Sequence, residues 1–333
     1  MSRAAVDVGR RTAWYERYER WHGLDRALHR SPVQRWFGNR AAGRLAVLGY
    51  HGVEDPVAFA AQLDLLAGTA RPVSLAEVEA AVHEGVPLPP RSVLVTFDDG
   101  DPSVLDHGLP LLAERGIPAV CFVIAGLVGT DEPFWWDESA HLLAHGGSCR
   151  GLPAGLPPAA AAYALKRLPD ARRRAALAEL RDTAAVPAPR GRQLTAADLR
   201  ALEAGGVVVG SHTLTHPCLD RCDDATVRAE VGTAHRLLTD HLGRPPSAFA
   251  YPNGDFDPRA DTALRALGYR SGFLYDHALS DPASQHPLRL SRLRVSTRTS
   301  PDRFATVLSG LQPAVYRTGL GVLRAVRQVR GRR

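Results

Sequence analysis

Adjacent carboxylates at Asp98 and Asp99, and two imidazoles four residues apart at His212 and His216, are the residues of this chain whose types and spacing suit chemistry. The carboxylates sit in Thr96-Phe97-Asp98-Asp99-Gly100, where the apolar run SVLV ends; the imidazoles sit in His212-Thr213-Leu214-Thr215-His216, directly after VVVGS. Groups at the C-terminal ends of parallel strands fall on the face where α/β proteins build their sites. Four-residue spacing puts two imidazoles on one side of a single turn, a suitable bite for one metal ion. One carboxylate plus two imidazoles leaves a coordination position open for water, and the second carboxylate is then free to act as a base. Such a set suits amide hydrolysis, which needs a polarised carbonyl, an activated water and a route for protons. Each motif alone has an ordinary reading. Asp-Asp-Gly is a common turn. A second His-x-x-x-His, at His141 and His145, has no carboxylate pair or strand end beside it and reads as a helix face. Cys218 and Cys222 lack a second thiol pair and read as packing residues rather than a zinc site.

Elements must carry these residues. From residue 44 onward, short Val- and Leu-rich runs alternate with longer segments of helical period, the pattern of parallel strands joined by crossover helices, so the fold class is α/β. Strands are predicted at Arg44–Tyr50, Ser92–Phe97, Ala119–Ile124, Val207–Gly210, Phe249–Tyr251, Gly272–Tyr275 and Leu290–Val295. Helices are predicted at Val57–Ala67, Leu75–Glu84, Pro102–Glu114, Ala196–Ala204, Ala225–Leu242, Pro258–Leu267 and Pro301–Ser309. The stretch 131–189 breaks the rhythm. It opens on PFWWDE, passes through a Pro-, Ala- and Gly-rich loop and continues as an Arg-rich helix, and so reads as an α-helical insertion.

With 45% hydrophobic and 23% charged residues, the 333-residue chain suits a globular fold and excludes collagen, coiled coil and wholesale disorder. No run approaches 18 apolar residues, and four cysteines do not make a disulfide framework. Charge is uneven. Residues 1–44 carry +6 and residues 313–333 another +6, against +6 overall, which leaves the body, 45–312, near −6. The pI of 9.4 therefore belongs to the ends, and a nucleic-acid partner is not expected. Of the 41 basic residues only Lys166 is lysine.

Three parts follow: a basic, aromatic-rich extension at 1–44, a body at 45–312 and a basic amphipathic tail at 313–333. The tail spaces Val315, Leu320, Leu323, Val326 and Val329 beside Arg324, Arg327 and Arg330; the extension carries Trp14, Tyr15, Tyr18, Trp21, Trp36 and Phe37. The two ends either lie on an anionic membrane surface or pack on the body as terminal helices. Charges interrupt any signal-peptide core near the start, so a cytoplasmic location is expected, at most peripheral on the inner face of the membrane. Nothing in the sequence speaks to oligomeric state.

In order and spacing the motifs resemble the polysaccharide deacetylases of the NodB-homology type, carbohydrate esterase family 4. That family's TFDDG, HTxxH and Pro-aromatic-Gly turn read here as TFDDG at 96–100, HTLTH at 212–216 and YPNG at 251–254, and the resemblance runs from about Leu45 to Leu308. It implies a distorted (β/α) barrel and removal of N-acetyl groups from an amino-sugar glycan or glycan precursor with one divalent metal ion, zinc being expected before other transition metals. It also implies Asp98 as catalytic base and Asp99, His212 and His216 as metal ligands.

Parts of the family pattern are missing: Ala250 stands where an Arg is common, Asn253 where the turn has its aromatic, and neither Asp-x-x-Asp-Trp nor a late Leu-x-His is present. The run Leu48 to Val53 (LGYHGV) resembles the YHxV opening of the poly-N-acetylglucosamine deacetylase branch, whose third motif reads FAYP as Phe249 to Pro252 do here. That implies His51 as general acid; the alternative is a histidine that fills space at a strand end. Asn253, through its N–H, and Tyr251 become oxyanion or substrate contacts. Arg292 or Arg294 either replaces the missing arginine or pairs with surface acids. Trp135 and Trp136 either stack on sugar rings or anchor the insertion, anchoring being favoured. The same site on a non-glycan amide or an O-acetyl ester is the alternative function, and a catalytically inactive glycan-binding module a further one, which the intact ligand set argues against.

Overall fold

The computed structural model describes residues 22–318. Eight strands form one sheet, every pair in it parallel: β1 (Ala46–Tyr50), β2 (Arg71–Pro72), β3 (Ser92–Phe97), β4 (Ala119–Val123), β5 (Val207–Ser211), β6 (Ala248–Ala250), β7 (Ser271–Phe273) and β8 (Leu293–Arg294). Their order is β7-β6-β5-β4-β3-β1-β8, with β2 beside β3. Leu290 bridges to Phe273 of β7, while Leu293 and Arg294 pair with Leu48 and Gly49 of β1. The run from 290 to 294 therefore touches both edges of the curled sheet and closes it into the distorted (β/α) barrel expected.

Helices α1 (His22–Arg30) and α2 (Pro32–Ala41) precede β1. Next come α3 (Pro56–Thr69), α4 (Leu75–Glu84) and α5 (Leu109–Glu114). The insertion holds α6 (Trp135–Ala144), α7 (Ala161–Leu165) and α8 (Asp170–Thr183), and the barrel resumes with α9 (Ala196–Ala204), α10 (Asp224–Leu242), α11 (Pro258–Ala266) and α12 (Pro301–Leu308). Helices α4 and α9 start where predicted because side chains cap them: Ser74 with Glu77, and Thr195 with Asp198, form reciprocal capping boxes. The helix predicted at Pro102–Glu114 instead passes through a π turn at Val104–Gly108 before α5. Pro110 has no N–H to donate to residue 106, so the regular ladder cannot run through it.

Alternation along the strands sorts the core. Leu45, Val47, Leu94, Phe122, Ala250, Phe273 and Leu290 pack together, joined by Leu75 and Val78 of α4. Ala46, Leu48, Tyr50, Val95 and Phe97 point to the other side, into the larger cluster with Phe59 and Leu63 of α3. The insertion has a small core of its own, built from Trp135, Leu142, Leu165, Leu177 and Leu180. The described part of the N-terminal segment packs on α12: Arg303 holds Asp25 at 2.9 Å in a buried pair, His29 meets Asp302 at 2.7 Å, and Gln34 donates to the Ala305 carbonyl. Trp14, Tyr15, Tyr18 and Trp21, and the tail from Leu320 to Val329, lie outside the described residues.

Candidate active site

Thr96 and Asp98 continue the inward-facing row of Leu94 on β3, so Asp98 arrives at the barrel mouth on the same side as Arg292, which follows Leu290 on the closing run. The two form a buried bidentate pair: Arg292 donates to Oδ1 of Asp98 at 2.6 Å and to Oδ2 at 2.8 Å, and a further bond to the Leu274 carbonyl at 2.7 Å fixes the guanidinium. Asp99 then takes a left-handed backbone (φ 70°), followed by Gly100 (φ 78°), and this turn aims its carboxylate beside that of its neighbour.

The two histidines converge by a different device from the single turn expected. Residues 212–216 form an irregular loop after β5, with Thr213 (φ 67°) and His216 (φ 56°) both left-handed. Glu230 on α10 holds the loop, accepting the N–H groups of Leu214 at 3.0 Å and Thr215 at 2.8 Å and the Thr215 hydroxyl at 2.6 Å. Of the six described non-glycine residues with positive φ, three line this site, Asp99, His216 and Asn253, and a fourth, Thr213, lies in the histidine loop. Strain concentrated in this way persists only where surrounding bonds over-determine it.

His212 donates Nδ1–H to the Ala250 carbonyl at 2.8 Å, which turns its Nε2 into the site. Oδ1 of Asp99 lies 3.5 Å from Nε2 of His212 and 3.5 Å from Nε2 of His216. These ligand atoms all fall within 4.8 Å of one another, and the Asp99 oxygen receives no hydrogen bond. Three buried ligand atoms thus converge on one point, and no hydrogen bond is donated to the Asp99 oxygen, a fit for a cation. Burial pushes His212 down to about 4 and His216 well below its ordinary range, so both are neutral imidazoles at pH 7. Burial, reinforced by the charge of Asp98, pushes Asp99 well above the carboxylate range; a bound cation removes that penalty. Burial would raise Asp98 too, but the Arg292 guanidinium overrides it and holds this carboxyl below its usual range.

These residues open into a cavity of about 780 Å³ whose lining includes His51, Asn253 and Arg294. The His51 ring stands edge-on to Tyr275, with centroids 5.6 Å apart. Arg294 does not reach Asp98: its guanidinium donates to the Tyr275 carbonyl at 3.0 and 2.7 Å. Asn253 is left-handed (φ 60°), and its side-chain amide donates to the Cys218 thiol at 3.3 Å. The turn's own bonds are donated by Gly254 and Asp255, which leaves the Asn253 N–H outside them. Gly254 is required there, because a Cβ would stand 2.3 Å from the Tyr275 nitrogen. Tyr251 corrects the expectation placed on it. Its ring is buried with Phe249, Val231 and Leu264 under the outer helices, and its N–H is spent on the Phe273 carbonyl, so it faces away from the cavity.

The insertion supplies one wall. Trp135 is buried and donates to the His216 carbonyl at 3.2 Å, which anchors the insertion to the histidine loop. Trp136 lines the cavity, edge-on to the His216 ring at 4.9 Å and stacked on Phe134. Lys166 and Tyr163 also line it. Neither Glu230 nor Lys166 was expected from sequence; the available signal for the latter was its being the one lysine among forty arginines. His141, on α6, and His145, just past its end, stack on each other and do not line the cavity. Cys218 and Cys222 are both free thiols.

Comparison with known proteins identifies the family. The polysaccharide deacetylase family model matches residues 85–272, more than half of the chain. No curated protein matches. Among solved structures, IcaB from Ammonifex degensii is 25% identical over 81% of this chain and 97% of its own, with a TM-score of 0.56. The Streptococcus pyogenes deacetylase PplD in complex with acetate (18% identical, covering 80% of this chain and 98% of its own, TM-score 0.56) and the BpsB deacetylase domain from Bordetella bronchiseptica (20%, 77% and 97%, TM-score 0.53) share the fold. This chain belongs to the polysaccharide deacetylase family. It is a hydrolase of carbon–nitrogen bonds, a carbohydrate N-deacetylase.

Proposed function

We propose that the enzyme deacetylates an amino-sugar glycan or glycan precursor with one divalent metal ion, zinc in first place, held by Asp99, His212 and His216. Such an ion, when bound, polarises the acetamide carbonyl and lowers the pKa of water. Asp98 accepts the proton of the attacking water, and Arg292 keeps it ionised and aimed. His51 delivers a proton to the departing nitrogen, because burial, only partly opposed by Asp98, makes its imidazolium a stronger acid than a free one. The Asn253 N–H receives the developing oxyanion. Acetate and a free sugar amine leave. The unit that does this is the body at 45–312.

The observation carrying this reading is the donor-free convergence of Asp99 Oδ1 on two imidazole nitrogens at 3.5 Å. Acetate release from N-acetylated oligosaccharides, with chelator and after metal is restored, tests it. Loss with chelator and recovery with zinc or another divalent ion are expected; release that is indifferent to chelation overturns the metal assignment.

The proposed location is cytoplasmic, on the inner face of the membrane. Supporting it, α2 buries none of its side chains, and Trp36, 58% exposed, stands with Val33 among Arg30, Arg35 and Arg40. Among the described residues no helix is long and apolar enough to cross a membrane. Sedimentation of the full chain with anionic vesicles at two salt concentrations is expected to show salt-sensitive binding that Trp36→Ser weakens; no binding at low salt ends the idea.

A further inference from the structure

The cavity wall furnished by the insertion carries charge that the deacetylation chemistry does not use. Lys166, directly after α7, and its neighbour Arg167 both line the cavity, together with Tyr163 and Trp136. Among the described residues neither cation has a carboxylate within ion-pair distance. The Lys166 ammonium instead stands 6.0 Å from the ring centroids of Trp135 and Trp136. The acids on the barrel side are in part already engaged: Asp98 holds Arg292, and Asp220 lies 3.2 Å from Arg221. Burial pushes the Lys166 ammonium below its ordinary range, and Asp99 and Asp255 only partly oppose this, from a distance and without bonding it. A cation half-removed from water and lacking a partner anion stands ready for one brought by a ligand. The aromatic rings beside it offer a surface to a sugar ring.

We propose that Lys166 and Arg167 form an anion subsite, and that the substrate carries a carboxylate or phosphate on or next to the sugar bearing the acetamide. This deepens the deacetylase reading and rests on it. A neutral homopolymer of N-acetylated sugars leaves the subsite without a ligand. The Lys166 ammonium is a compact, strongly hydrated point charge, suited to a single anionic group.

Calorimetric titration of the full-length protein with N-acetylglucosamine, N-acetylglucosamine 1-phosphate and N-acetylmuramic acid tests the subsite without requiring turnover. The phosphate and carboxylate arms distinguish the two sources of charge. Binding of at least one anionic sugar about 10- to 100-fold tighter than the neutral one is expected, as for a charge-assisted contact. The preference is expected to collapse in Lys166→Met at unchanged metal content, which separates the lysine from any contact of the anion with a metal. Equal binding of neutral and anionic sugars by the wild-type chain, or none by either, overturns the proposal even if the variant fails to fold. So does a preference that survives in a folded Lys166→Met. Acetate release from neutral and acidic N-acetylated oligosaccharides is followed separately. Equal loss on both in Lys166→Met, with binding intact, assigns the lysine to the reaction and removes the subsite; absence of release from every substrate counts against the deacetylase reading and leaves the binding result standing.

Discussion

The floor of the cavity and the wall that the insertion raises beside it are built on different terms. On the floor, Asp98, Asp99, His212, His216 and Arg292 are each less than a tenth exposed. They rest on strand ends whose register is set by barrel hydrogen bonds, such as Asp98 N–H to the Tyr50 carbonyl and His212 N–H to that of Val123. On the wall, Trp136, Tyr163 and Lys166 are only partly buried, and their helices share a small core pinned by the Asp170–Arg173 and Glu138–Arg181 pairs. On the proposed reading, chemistry therefore sits where a displaced atom disturbs the whole barrel, and recognition sits where side chains can change with less cost to it.

The largest separation between the two regions is expected at the carboxylate pair. Asp98→Asn should lower turnover by roughly 10³-fold with metal retained, while Ala at Asp99, His212 or His216 should strip the metal, as elemental analysis of the purified variants will show. An Asp98→Asn protein that loses metal beside an Asp99→Asn protein that keeps it reverses the assignment.

Arg292→Met comes next, because it leaves a buried carboxylate uncompensated; denaturant unfolding should reveal a loss of about 3–5 kcal/mol. The pH dependence supplies the sign. Asp98 has a folded pKa below the ordinary value, so its ionised form, and any activity that needs it, is present at neutral pH and lost as pH falls through that depressed pKa. Removing the charge leaves burial to dominate, so the acid limb of the pH–rate profile in Arg292→Gln should move to higher pH. An unmoved limb means that another group supplies the base.

His51→Ala should cost about 10²-fold in turnover with metal and stability unchanged, the worth of a positioned acid; near-normal turnover dismisses it. Trp136→Ala should do least, raising KM by about tenfold with kcat nearly constant and stability altered by about 1 kcal/mol or less. A kcat effect matching that of His51→Ala would show that the wall reaches the chemistry through the His216 ring.

The sequence displayed the floor more fully than the wall, for reasons of range. TFDDG and HTLTH are local signals at the ends of recognisable strands, and the fold brings both to one cavity. Choosing between Arg292 and Arg294 needed the course of their side chains: by register Arg294 stands level with Gly49 and Thr96, nearer the mouth, yet its guanidinium is held by the Tyr275 carbonyl, while that of Arg292, starting deeper, reaches Asp98. The placing of Tyr251 was open to correction from alternation alone, since Phe249 is an outward core residue and its i+2 neighbour shares that face. Glu230 and Lys166 come from helices whose approach to the site depends on tertiary packing, which no local pattern encodes. The lone lysine was visible as an oddity of composition without a place to put it.

That oddity has a practical consequence. Any reagent selective for side-chain primary amines, whether an acylating dye, a biotin ester or a surface-coupling chemistry, has a single target side chain in this protein, and it lies in the reaction cavity. Apart from a free α-amino group, routine amine labelling is therefore a modification of one position in the enzyme, and protection of Lys166 from it, read by peptide mass, reports on what occupies that wall.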